Sequence, residues 1–251
     1  MKARKRFGQH YLTDEGVLLE MARCIAPGAD QKLLEIGPGH GALTRYLFGE
    51  TAEYQVVEID RDLIAMLLAS FPGMVVHNAD ILKLSLSELL RDGGWRLVGN
   101  LPYNISTPLL VKLYGALDQI QDMHFMFQRE LALRLGASPG TKDWGRLSVV
   151  TQYHCTVEPL FDVGPEAFSP PPKVFSQVVR MCPRMEKTPV DPVKLDLVLR
   201  TAFSARRKRI TNALKGFGLD WDRVGVDVKS RPDQLSLEQF VAIANSAENL
   251  G

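Results

Sequence analysis

The feature that most narrows what this chain can fold into is a regular alternation that begins at Lys32. Short apolar runs take turns with amphipathic, helix-like stretches. Leu33–Ile36, Gln55–Ile59, Met74–His77, Trp95–Val98 and Asp122–Phe127 read as strands. Helices are expected between them, near Ala42–Phe48, through Ile64–Leu68, near Leu82–Leu90 and near Pro108–Leu117. Strands that alternate with helices at this spacing predict an α/β fold with a doubly wound, mostly parallel sheet.

The alternation blurs after the fifth strand. Arg146–Tyr153 fits a helix or a strand, and periodicity does not choose between them. Thr156–Val163 and Ser176–Met181 read as further strands on either side of a Pro170-Pro171-Pro172 loop. Past Pro183 the character changes. Thr188-Pro189 and Asp191-Pro192 form a linker, and helical patterns follow at Val193–Ser204, Arg206–Lys215 and Leu237–Asn245. The expected organisation is one large domain over residues 1–184 and a small all-helical domain over 185–251.

Bulk charge names no partner, because 30 Lys and Arg stand against 29 Asp and Glu. A nucleic-acid reading therefore has to rest on local clusters. Cys24, Cys155 and Cys182 are an odd number with no C-x-x-C pair, which argues against a disulfide framework and a structural zinc site. No metal is expected. The basic N-terminus is followed by no apolar core of a signal peptide, and no apolar run reaches the ~18 residues of a membrane span. The expectation is a cytoplasmic protein with no membrane partner.

Gly37-Pro38-Gly39-His40-Gly41 follows the first strand. Glycines there let backbone N–H groups approach a ligand closely, or simply make a tight turn. The spacing is G-x-G-x-G, not the G-x-G-x-x-G of dinucleotide sites, and no Lys-Ser/Thr follows as in a phosphate-binding P-loop. Glu58 ends the second strand, where an acidic residue can hold ribose hydroxyls. Asp80 follows the third strand and Asn100 the fourth. Any one strand-end carboxylate is as readily a helix N-cap. A glycine loop and three polar groups at four successive strand ends of a parallel sheet lie along one edge, where such folds bind ligands. A ligand with a ribose, an adenine and no triphosphate fits, and S-adenosyl-L-methionine is the candidate.

The sharpest signal is Asn100-Leu101-Pro102-Tyr103, directly after the fourth strand. An adenine N6 amine is a poor nucleophile because its lone pair is delocalised into the ring. The Asn100 side-chain oxygen and a backbone carbonyl near Leu101 could accept its protons and localise that lone pair. Pro102 stiffens the loop, and Tyr103 offers a stacking face for an extruded base. The tetrad resembles that of the amino-methyltransferases, in the form found in rRNA adenine N6-methyltransferases.

The resemblance runs along nearly the whole chain. Lys5-Arg6-Phe7-Gly8-Gln9-His10-Tyr11-Leu12 is similar to the N-terminal signature of the bacterial small-subunit (16S) rRNA adenine N6,N6-dimethyltransferases, the kasugamycin-sensitivity family. His10 and Tyr11 depart from the commoner Asn-Phe there. Trp144–Val149, Phe168–Ser176 and Phe203–Arg209 match further blocks of that family. The resemblance implies a Rossmann-like class I methyltransferase that dimethylates two adjacent adenosines in a hairpin loop near the 3′ end of the 16S rRNA. Its partner would be an immature small ribosomal subunit, its cofactor S-adenosyl-L-methionine, and its state a monomer. It further implies that Gln9, His10 and Leu12 close over the cofactor, and that Gly37 and Gly39 approach its methionine part. Glu58 would bind the ribose, Asp80 the adenine amine, and Ile59 and Ile81 would sandwich the ring. Asn100 would serve both the cofactor and the target, and with Leu101, Tyr103 and Phe168 it would hold and activate the target base, though Phe168 also reads as core packing. Lys5, Arg6, Arg206, Arg207 and Lys208 are candidate phosphate contacts, or else a solvated basic face. The alternatives are a large-subunit rRNA dimethyltransferase that confers antibiotic resistance, and a mainly structural assembly factor.

Overall fold

The computed structural model describes residues 10–248. Gln9, Lys5 and Arg6 lie outside them. The chain divides into two compact units.

Among the described residues, the first unit takes 10–132 and 157–183 and holds nine strands in part or whole. These are β1 (Tyr11–Leu12), β2 (Lys32–Ile36), β3 (Glu53–Glu58), β4 (Val75–Asn78), β5 (Trp95–Asn100), β6 (Ile120–Gln128), β7 (Cys155–Val163), β8 (Phe168–Ser169) and β9 (Ser176–Pro183). Seven form one sheet in the order β4-β3-β2-β5-β6-β9-β7. The pairs β4-β3, β3-β2, β2-β5 and β5-β6 are parallel, and β9 runs antiparallel to β6. β2 is followed by β3 on one side and has β5 on the other, so the strand order reverses between β2 and β5. A crevice outside the carboxyl ends of the strands opens at such a point.

The central strands read as near-continuous apolar runs because both faces are covered. In β2 every residue after Lys32 is buried, and in β5 every residue before Asn100. The helix Glu15–Ile25 covers part of one face through Leu18, Met21 and Ile25. Asp14 caps it by accepting from the Val17 amide at 2.9 Å. The two-residue strands β1 and β8 form a separate antiparallel pair, with Leu12 opposite Phe168. Among the described residues no helix is long and apolar enough to cross a membrane.

The second unit takes the described residues 184–248 together with residues 133–156. Trp144, Val149 and Tyr153 explain this. They are buried with Leu195, Val198 and Leu199 of the helix Pro192–Ser204 and with Phe240 and Ile243 of the helix Leu237–Ser246. The Trp144 indole donates to the Leu235 carbonyl at 3.0 Å. The ambiguous Arg146–Tyr153 stretch is a helix, Arg146–His154. Tertiary hydrogen bonds decide it. Ser148 and Gln152 sit four apart on one face, and donate to the Arg134 carbonyl at 2.6 Å and the Leu135 and Ala137 carbonyls at 3.0 and 2.7 Å.

The helix expected over Arg206–Lys215 is corrected. Residues 205–208 form a turn, and only Ile210–Ala213 is helical. The Arg206 guanidinium donates to the Thr141 and Lys142 carbonyls at 3.1 and 3.0 Å, which ties the turn to another loop of the unit.

Candidate active site

The carboxyl ends of β2, β3, β4 and β5 surround a cavity of about 610 Å³. Gly37, Gly39, Glu58, Ile59, Asp80, Ile81, Asn100, Leu101 and Tyr103 all line it, as do His10 and Leu12. The sequence assembled this site from residues up to 93 positions apart in the chain, and the parallel sheet brings them to one edge. Phe168 is not among the lining residues. It is 4% exposed, paired with Leu12 and packed in the core, so the structure places it as a core residue below the site. Arg206 donates to two carbonyls and lies 3.7 Å from Asp233, while its side chain stays 38% exposed. Arg207 and Lys208 are exposed.

The glycine loop has the conformation its residues predict. Gly37 and Gly39 take φ of 69° and 57°, a region where other residues are strained. A Cβ on Gly37 would meet nothing within 4 Å, so a bound group could lie directly against that backbone. Gly99 matters for a different reason. A Cβ there would come 2.5 Å from the Ile36 carbonyl oxygen, and its absence lets β5 deliver Asn100 beside the loop.

Glu58 is 2% exposed and accepts from the Gly39 amide at 3.2 Å and the Asp60 amide at 2.8 Å. Burial raises its pKa, and those amide donors limit the rise. Each carboxylate oxygen keeps a lone pair, so the group can still accept from a pair of vicinal hydroxyls. Asp80 accepts from the Leu82 amide at 3.0 Å through one oxygen. Ile59 is 43% exposed beside the cavity, while Ile81 is 4% exposed. Ile59 and Ile81 give the cavity apolar lining beside the Glu58 and Asp80 carboxylates, a combination that fits an aromatic ring with a polar rim. These features suit an adenosyl group whose ribose lies on Glu58.

Glu35 is a site residue that the sequence reading passed over. It lines the cavity, is fully buried, and receives hydrogen bonds from the Thr44 and Tyr54 hydroxyls, both at 2.6 Å. Burial pushes its pKa up to about 7 against the lowering effect of both donors, with the Glu58 charge adding to the rise. The signal was present as one charged residue in the otherwise apolar run of β2.

At the base end, the Asn100 amide nitrogen donates to the His10 carbonyl at 3.1 Å. That fixes the amide so that Oδ1 is the atom left to accept. Leu101 is 1% exposed and anchors the tetrad in the core. The Pro102 carbonyl accepts from the Ile105 amide at 3.1 Å and the Ser106 hydroxyl at 3.2 Å, which curls the tetrad into the helix Ser106–Leu113. The Tyr103 hydroxyl bonds Ser176 Oγ at 2.8 Å, and its ring is half-buried on the cavity wall.

Known proteins resemble this chain over most of its length. The model of the ribosomal RNA adenine dimethylase family matches residues 1–249. Proteins named ribosomal RNA small subunit methyltransferase A are similar over nearly full length. The one from Pseudomonas aeruginosa is 49% identical, with 99% of this chain and 96% of that protein covered. The one from Marinomonas sp. is 48% identical, with 97% and 95% covered. Among solved structures, a dimethyladenosine transferase from Plasmodium falciparum matches with a TM-score of 0.79 at 25% identity, over 93% of this chain and 96% of that one. The 23S rRNA methyltransferase ErmE shares the fold, with a TM-score of 0.75 at 24% identity, over 95% of this chain and all of that one.

Proposed function

The chain belongs to the ribosomal RNA adenine dimethylase family, and we propose that it dimethylates the N6 amines of two adjacent adenosines in small-subunit rRNA, with S-adenosyl-L-methionine as methyl donor. The observation that carries this reading is a single cavity that joins Glu58 and the Gly37–Gly39 loop to Asn100 and Tyr103. The names of relatives near 49% identity support the small subunit as the substrate. The reading has the protein act as a cytoplasmic monomer on immature small subunits.

When bound, S-adenosyl-L-methionine supplies an electrophilic methyl group on a sulfonium sulfur. The work left to the chain is to bind, orient and prepare the amine. Glu58 accepts from the ribose hydroxyls, Asp80 accepts from the adenine amine, and Ile59 and Ile81 cover the ring. Tyr103 stacks on the target base, which is worth roughly 1–3 kcal/mol and is comparable to the cost of unstacking a loop base. Asn100 Oδ1 and the Leu101 carbonyl accept the N6 protons and return lone-pair density to the nitrogen. Holding that nitrogen in line with the methyl group supplies most of the barrier reduction. Two methylations per adenosine require that one N6 proton remain as a handle after the first transfer, so the base must be held by stacking as well as by these acceptors. Arg207 and Lys208 supply phosphate contacts that position the RNA without reading its sequence.

The test is methylation of unmethylated small-subunit particles, large-subunit RNA and DNA in parallel, with nucleosides read by mass spectrometry. N6,N6-dimethyladenosine in the small-subunit sample alone is the expected result. The same product in the large-subunit sample alone would overturn the substrate assignment. No product anywhere despite cofactor binding would leave an assembly factor.

A further inference from the structure

Residues 10 and 11 lean toward opposite ends of the cavity. The Tyr11 ring lies against the cofactor loop, with its centroid 4.5 Å from that of His40. It occupies the space where a Cβ on Gly39 would come within 3.1 Å of it. The His10 ring turns to the base end and stacks on Tyr103, with centroids 5.8 Å apart and planes 29° from parallel. Its Nδ1 is 2.8 Å from the Pro170 carbonyl oxygen. A carbonyl can only accept, so Nδ1 carries the proton and donates. The main-chain carbonyl of the same residue takes the Asn100 amide.

We propose that His10 is a positioning residue for the target base, and that its side chain acts on Tyr103 while its backbone acts on Asn100. Tyr103 is tied at its hydroxyl by Ser176 Oγ. A ring held only at that end can still rock about its long axis. The stacked imidazole fixes the plane, and the Pro170 carbonyl fixes the imidazole. The ring that would stack the adenine and the amide that would accept its protons are thereby set by one residue. The inference rests on the rRNA adenine reading above, and it moves the side chain of His10 from the cofactor to the base.

Three variants separate the contributions, since all keep the main-chain carbonyl. His10→Phe keeps a ring and loses the donor. His10→Asn has a donor and no ring. His10→Ala has neither. Each is compared with wild type for kcat and KM on unmethylated small-subunit particles and for cofactor affinity by calorimetry, alone and with Tyr103→Ala. His10→Ala is expected to lower kcat/KM for the particle by roughly three- to tenfold, the range of one aromatic pair. His10→Asn should match it, and His10→Phe should recover most of the loss. Cofactor affinity should stay within about twofold, and His10→Ala should cost nothing further once Tyr103 is Ala, because the pair is already broken. A phenylalanine variant as poor as the alanine one, multiplicative losses in the double variant, or a weakened cofactor with unchanged particle kinetics would each overturn the role of His10. Wild-type protein that methylates no RNA would overturn the functional reading itself, and this role with it.

Discussion

The two ends of the central sheet bury carboxylates in opposite ways. At the carboxyl end, Glu35 and Glu58 are held by hydroxyls and backbone amides, with no cation bonded to either. Both pKa values are raised, chiefly by burial. At the amino end, Asp122 of β6 meets Arg96 of the neighbouring β5 in a two-pronged contact of 2.8 and 3.0 Å. Arg180 of β9 adds two more bonds, at 3.3 and 3.2 Å. Burial alone would raise the Asp122 pKa, but Arg96, with help from His124 and Arg180, takes it below the usual carboxylate range. One end is a cavity whose acids keep spare lone pairs. The other is closed, and its acid is saturated. Burying a carboxylate therefore does not by itself mark a site; the kind of partner does.

The comparison can be broken most forcefully at Arg96, which is 5% exposed. Replacing it with Met leaves Asp122 buried with the half-exposed Arg180 and the His124 ring opposite. Removing one partner of a buried pair costs about 3–5 kcal/mol, whereas replacing both with apolar residues is often nearly neutral. Arg96→Met should thus lose roughly 3 kcal/mol or more in urea unfolding, and Arg96→Met with Asp122→Leu should regain much of it. Cofactor affinity of the folded protein should not change. A cofactor defect as large as the stability defect would show that the two ends are not independent.

The cavity end breaks in the reverse manner. Asn100→Ala removes the acceptor for the target amine and leaves a half-buried edge position that tolerates a small side chain. Loss of one transition-state hydrogen-bonding group typically costs about 10²- to 10³-fold in rate. The expected result is a fall of that size in single-turnover methylation, with particle binding retained and the urea midpoint close to wild type. Activity equal to wild type would remove Asn100 from the chemistry.

How far the sequence exposed these ends differs between them. The cavity end was legible because strand termini, glycines and the Asn100–Tyr103 tetrad are local signals that a parallel sheet gathers predictably. The amino end was not, since Arg96, Asp122 and Arg180 are unremarkable in sequence and meet only through strand order and register. The helix Glu15–Ile25 was missed although Asp14 and the 18, 21, 25 spacing announce it. The strands β1 and β8 are two residues each, too short for any periodicity to show. Phe168 suits a base contact by type and neighbourhood, while its burial depends on distant partners that no local pattern reveals, as do the carbonyls that Arg206 meets. Residues 133–156 joined the helical unit for the same reason, through Trp144 and Val149.

The smallest effect sharpens the contrast through pH. At the amino end, burial lowers the His124 pKa to about 4, with Arg96 and Arg180 adding to the effect and Asp122 opposing it. The unfolded chain takes that proton first, so stability is lost as pH falls from about 6.5 toward 4. Asp122 works in the same direction, since its contribution disappears as pH falls through its lowered folded value. Glu35 has the opposite sign. Its folded pKa of about 7 lies above its unfolded one, so its contribution is complete in acid and is lost as pH rises through 7. Glu35→Gln retains the shape and the hydroxyl partners without a titrating proton. Thermal unfolding between pH 5 and pH 9 should therefore show a decline in wild type from pH 5 to just above 7, on the order of 2–3 kcal/mol, that is much smaller in the variant, where only Glu58 still contributes with this sign, while the loss due to His124 and Asp122 in acid is common to both. A decline as large in Glu35→Gln as in wild type would mean that Glu35 takes up no proton on folding and is already ionised in the folded protein. The cavity would then carry a full negative charge at its floor, and the carboxylates at the two ends of the sheet would differ in their partners but not in their charge.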